Sequence, residues 1–112
     1  MSGRRVVVTG IGAITPIGNN LKDYWQSLVD GISGADLITH FDASNFKTKF
    51  ACEVKDFDVT EFIHKKEARK LDKFSQYAMV VADEAFVDSG IDSDQIKPER
   101  AGVIWGSGIG AK

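Results

Sequence analysis

Cysteine is nearly absent from this chain. Cys52 is the only one among 112 residues, so no internal disulfide can form and the expected setting is reducing, by default cytoplasmic. Histidine is scarce as well. His40 and His64 stand far apart, no pair at i, i+3 or i, i+4 exists, and neither a metal site nor a cofactor is expected. No stretch approaches the roughly 20 apolar residues that a membrane span requires. The basic start with Arg4 and Arg5 leads into Val6, Val7 and Val8, but Thr9, Gly10 and Gly12 interrupt that run too early for a signal-peptide core. An excess of one charge is also missing. A net charge of −2 points neither to nucleic acid nor to an anionic membrane. No internal repeat or low-complexity segment occurs. What is present, 43% hydrophobic and 27% charged residues, describes one ordinary globular domain with a modest core.

Residues 4–9 read as a strand, apolar on both faces and bounded by glycine, as in a parallel sheet covered on both sides. Residues 10–18 form a loop, because Pro16 cannot sit inside a helix. Asn19 or Asn20 caps a helix whose apolar positions Leu21, Trp25, Leu28 and Val29 fall on one face, and Gly31 ends it. Residues 32–59 lack a period and read as an excursion pinned by Phe41, Phe46, Phe50 and Phe57, with a strand piece at 50–54. A short charged helix is expected over 60–70. A longer one follows over 73–88, with the stripe Phe74, Ala78, Val81, Ala82, Ala85 and Phe86 and a C-cap at Gly90. After a connecting turn at 92–98, residues 101–105 read as a second strand. The order predicts an α/β layer with these two strands parallel.

Three motifs invite chemistry. Thr9-Gly10-Ile11-Gly12 resembles the start of a dinucleotide loop, but Thr15 stands where a third small residue belongs and the helix begins too late; a tight turn is the better reading. The glycine loop at 106–110 lacks the Lys-Ser/Thr ending of a phosphate loop, so close backbone approach to a ligand and a simple turn stay open. Cys52, beside Phe50 and the acidic Glu53, lacks the electropositive setting of a nucleophile and reads as a buried or half-buried filler. His40 and His64 read as structural or solvent-facing. The segment from His64 to Lys73 carries five basic residues against two acidic ones, a net +3. On one helix, Lys66, Arg69, Lys70 and Lys73 would share a face. That face is either simply solvated or a docking patch for an acidic partner. No catalytic constellation is visible, and a strand entering a glycine loop normally continues into another element. The chain is therefore expected to be one end of a larger enzyme, and not to be stably folded by itself.

Read in order, Arg4-Arg5-Val6-Val7-Val8-Thr9-Gly10-Ile11-Gly12, Thr15-Pro16-Ile17-Gly18-Asn19, Trp25-Gln26-Ser27-Leu28-Val29-Asp30-Gly31, His40-Phe41-Asp42, Lys66-Glu67-Ala68-Arg69-Lys70-Leu71-Asp72 and Gly106-Ser107-Gly108-Ile109-Gly110 resemble the opening of the β-ketoacyl-acyl-carrier-protein synthases. The closest likeness is to the type II condensing enzymes of fatty-acid elongation. The family pattern has a further glycine where this chain has Ala111. The resemblance implies a thiolase-like α/β fold of which residues 1–112 are the N-terminal part of the first half, and a homodimer in the complete enzyme. It also implies decarboxylating Claisen condensation of malonyl and acyl groups on acyl carrier protein. The family's nucleophilic cysteine and two histidines fall beyond this segment, so Cys52, His40 and His64 do not inherit those roles and no catalytic residue is expected here. Lys66, Arg69 and Lys70 match residues that contact the acidic carrier, with Lys65 adjacent. Gly108 and Ile109 match the wall of the acyl pocket. A nucleotide-binding α/β module and a non-catalytic interaction domain for an acidic partner are the competing readings.

Overall fold

The structure, a computed structural model, describes residues 3–109. It divides into two compact units. Ala13–Asp58 forms one, and the residues up to Gly12 join those from Val59 onward in the other. Gly110 and Ala111 of the glycine run lie outside the described residues.

The Ala13–Asp58 unit opens on a turn. Thr15 and Gly18 exchange backbone hydrogen bonds of 2.8 and 3.2 Å across Pro16 and Ile17. Helix α1, Leu21–Val29, follows because Asn20 caps it twice: its Oδ1 accepts from the Asp23 amide at 2.8 Å, and its Nδ2 donates to the Asp23 carboxylate at 2.9 Å. The helix stops at Gly31, which takes φ +67°. The Ile32 amide then reaches back to the Ser27 carbonyl and that of Gly31 to Leu28, the paired bonds of a Schellman end. The predicted apolar stripe does not face a core. Trp25 is 65% exposed and Val29 64%.

The excursion contains more order than its sequence suggests. Strands β1, Ala35–Leu37, and β2, Phe50–Cys52, pair antiparallel with Asp36 opposite Ala51. The piece expected at 50–54 is therefore a strand, although β1 has no β-branched residue to announce it. Phe41 and Phe46 meet edge to face at 5.6 Å within the connecting loop. Two side chains stitch the unit together. The Glu53 carboxylate accepts from the Thr39 amide and hydroxyl, each at 3.0 Å, and from the His40 amide at 3.3 Å, and the His40 Nδ1 also lies 3.3 Å from it. The Lys55 ammonium donates to the Gly34 carbonyl at 2.8 Å and, more loosely, to those of Glu53 and Pro16. Cys52 is exposed, a correction to the filler reading: it sits in a strand with no layer over its side chain.

In the second unit the charged segment is not one helix. A 3-10 turn at Val59–Glu61 precedes α2, Lys65–Ala68, and Asp72 then turns extended as the N-cap of α3, Lys73–Ser89. So short a helix is unfavourable to nucleate, and it needs its cap: the His64 Nδ1 accepts from the Lys66 amide at 3.2 Å. His64 is thus structural. Helix α3 ends at Gly90 with φ +66°, as expected. No helix among the described residues is long and apolar enough to cross a membrane.

Residues 4–9 and 101–105 form no hydrogen-bonded ladder among the described residues, which corrects the expected parallel pair. Both runs nevertheless wall one groove of about 400 Å³, with Thr9 and Gly10 on one side, Val103 and Trp105 on another, and the α3 stripe Ala78, Val81, Ala82 and Ala85 beneath. Their valines and isoleucine suit a covered pleated surface, but here Val6 is 91% and Ile104 99% exposed, so burial does not hold them in register.

Candidate functional site

The TGIG motif resolves into packing. A β-carbon on Gly10 would fall 2.2 Å from the Ala85 carbonyl oxygen, and one on Gly12 equally close to that of Val81. The Ile11 amide donates to the Asp88 carboxylate at 2.9 Å. The segment is pressed against the backbone of α3 where Val81 and Ala85 follow one another on a single helix face. Neither glycine takes a positive φ, so what the site requires is closeness rather than a special turn. That face of the motif holds helix where a pyrophosphate would need to lie, which removes the support for nucleotide binding.

The basic candidates come together. Lys66 lies in α2, Arg69 is its C-cap, and Lys70 occupies the following turn; all three are exposed. Lys73 starts the next helix instead, because Asp72 breaks the run. The buried methyl of Ala68, 4% exposed, anchors the turn from below. A residue that the sequence did not flag also holds it. Gln76, in the first turns of α3, donates through Nε2 to the Ala68 carbonyl at 3.0 Å and the Leu71 carbonyl at 3.3 Å, satisfying C-terminal helix acceptors. Nothing in a lone glutamine marks this role. Glu67 stands within the patch, its Oε1 3.3 Å from the Lys70 ammonium.

The glycine-loop candidates are separate from that patch and open. A β-carbon on Gly108 would meet nothing within 4 Å, and Ile109 is 92% exposed. No group of three or more His, Cys, Asp or Glu able to hold a metal occurs among the described residues.

Residues 3–112 match the family model described as the beta-ketoacyl synthase N-terminal domain. The chain belongs to the beta-ketoacyl synthase family. A relative from Vibrio harveyi named 3-oxoacyl-[acyl-carrier-protein] synthase 2 is 51% identical over 110 residues, which are 98% of this chain and 26% of that protein. Proteins of the same name from Synechocystis sp. and Coxiella burnetii are each 48% identical, over 96% and 98% of this chain. The chain thus spans about a quarter of the length of the curated relatives it matches. Among solved structures, the ishigamide ketosynthase/chain length factor superposes with a TM-score of 0.76 at 39% identity, over 85% of this chain and 24% of that one. A type II PKS acyl-carrier protein in complex with its ketosynthase bound to the hexaketide gives 0.61 at 32% identity, over 82% and 24%. The beta-ketoacyl synthase segment accordingly takes the thiolase-like ketosynthase fold expected from its motifs.

Proposed function

We propose that this chain is the N-terminal part of the first thiolase-like domain of a type II condensing enzyme of fatty-acid synthesis, cytoplasmic and homodimeric as a whole. In that enzyme a cysteine thiolate outside this segment takes the acyl group as a thioester. Malonyl-thioester on acyl carrier protein loses carbon dioxide, and the resulting carbanion attacks the thioester carbonyl. The cysteine sulfur leaves, and a β-ketoacyl chain two carbons longer remains on the carrier. Cys52 takes no part in these steps.

The segment contributes two things. Lys66, Arg69 and Lys70 receive the acidic carrier, and Gly108 and Ile109 wall the acyl pocket. The observation that carries the first assignment is the gathering of the three cations on one exposed turn, anchored by Ala68 and Gln76. A positive patch on a protein of net −2 raises encounter rate and sets orientation for an acidic partner.

The test is charge reversal of Lys66, Arg69 and Lys70 together in the complete enzyme that carries this segment. With carrier-bound substrate, kcat/KM should fall by about tenfold or more, a loss of about 1.4 kcal/mol of transition-state binding. With a small pantetheine thioester it should stay unchanged. Equal effects on both substrates, or none on either, would remove the assignment.

A further inference from the structure

Resting on the docking reading, we infer that Glu67 is a built-in competitor for Lys70, and that it weakens the hold of this turn on its acidic partner. The three docking cations are not equivalent. The Lys70 ammonium is already engaged by the Glu67 carboxylate at 3.3 Å, three residues back along the chain. The side chains of Lys66 and Arg69 enter no ion pair among the described residues. An arriving carboxylate therefore finds two cations ready and a third that it must take from Glu67.

The pair is built for exchange. Its side chains are 72% and 63% exposed, so neither charge is locked by burial, and an exposed ion pair of this kind is weak. Glu67 is also the one acidic residue in the first turn of α2, with Lys65 and Lys66 before it and Arg69 and Lys70 after it. Its carboxylate therefore stands in the middle of a cationic surface. Once displaced from Lys70 it stays beside the bound partner and repels its carboxylates. Both effects favour release, which suits a carrier that must arrive and depart in every cycle of elongation.

The substitution that isolates this role is Glu67→Gln, because glutamine keeps the shape and is equally accepted at the third helical position. Binding is measured between the complete enzyme and holo-acyl carrier protein bearing no acyl group, at low salt. Glu67→Gln should tighten binding about two- to fivefold, the range that an exposed pair worth about 0.5–1 kcal/mol converts to. In a Lys70→Gln background the gain should shrink, since no ammonium is left to compete for and only the repulsion remains. An undiminished gain there means that Glu67 acts only through the general field, and the competition is wrong. An unchanged or weaker affinity for Glu67→Gln overturns it too. Arg69→Glu serves as the control on the underlying reading. If it weakens binding while Glu67→Gln does nothing, docking stands and the competitor falls. If Arg69→Glu is silent, the docking reading fails and takes the inference with it.

Discussion

A single carboxylate, Glu53, decides how the loop after β1 is held. Three donors from Thr39 and His40 converge on its two oxygens, with the His40 ring close by. The Thr39 amide is the largest influence lowering its pKa below the ordinary 4.5; the Thr39 hydroxyl, the His40 amide and the His40 ring add to it against some desolvation. A carboxyl lowered in the folded state contributes stability that is complete above its ordinary value. That contribution is lost as pH falls through the lowered one. Amide exchange at Thr39 and His40 should therefore be slow and flat down to about pH 4.5 and accelerate below it, once corrected for intrinsic rates. Glu53→Gln should show fast exchange at every pH. Gly10 carries a second prediction at this scale. Gly10→Ala forces a methyl to within 2.2 Å of the Ala85 carbonyl, a backbone atom that cannot rotate aside. It should destabilise by about 1–3 kcal/mol in urea unfolding of the complete enzyme, the cost of overpacking. The need for glycine at positions 10 and 12 was legible in the sequence, but its reason was not. A dinucleotide loop and a helix pressed on a loop ask for the same missing side chain.

Among the elements, the two longer helices and the strand piece at residue 50 were readable, and the pairing of the strands was not. Asn20 before α1, Gly31 after it, the α3 stripe and Gly90 are local signals, each acting within a few residues of the element that it bounds. The paired strands β1 and β2 depend on contacts across a dozen residues, and Ala35-Asp36-Leu37 shows no alternation that a reader could use. The basic segment failed for a different reason. Its charges have helical spacing, yet Asp72 caps a new helix and divides them. Gln76 helps to keep the short α2 in place, and a lone glutamine carries no pattern that announces such a role. Gln76→Leu removes both bonds to the Ala68 and Leu71 carbonyls, leaving the Ala68 carbonyl with the Leu71 amide alone. It should cost about 1–2 kcal/mol and raise hydrogen exchange across residues 66–71, while amides around Val80 stay protected. Uniform acceleration through α3 would mean instead that Gln76 supports the long helix rather than the turn.

Over the whole chain, burial sets the limit on what these residues can do alone. The residues buried among those described are Ala43, Ala68 and Val80, all small, whereas Val6, Val8, Val103 and Ile104 are exposed. Burial of a large aliphatic side chain is worth about 1.5–3 kcal/mol, so leaving these uncovered forgoes a large share of what a domain of this length needs. The 112-residue chain by itself should bind a hydrophobic dye and unfold in urea with a shallow, weakly cooperative transition. The two apolar runs can be probed directly through Ile104→Lys. In the isolated chain the substitution should lower dye binding and leave stability within about 0.5 kcal/mol, as expected for an exposed position. In the complete enzyme, about four times as long by the measure of its relatives, the same change should be severely destabilising if further polypeptide covers residue 104, because an unpaired ammonium would then be buried. Equal tolerance in both would show that residues 101–105 are an exposed edge in the complete enzyme. The groove that they share with residues 9 and 10 over α3 would then be a surface feature and not the floor of a core.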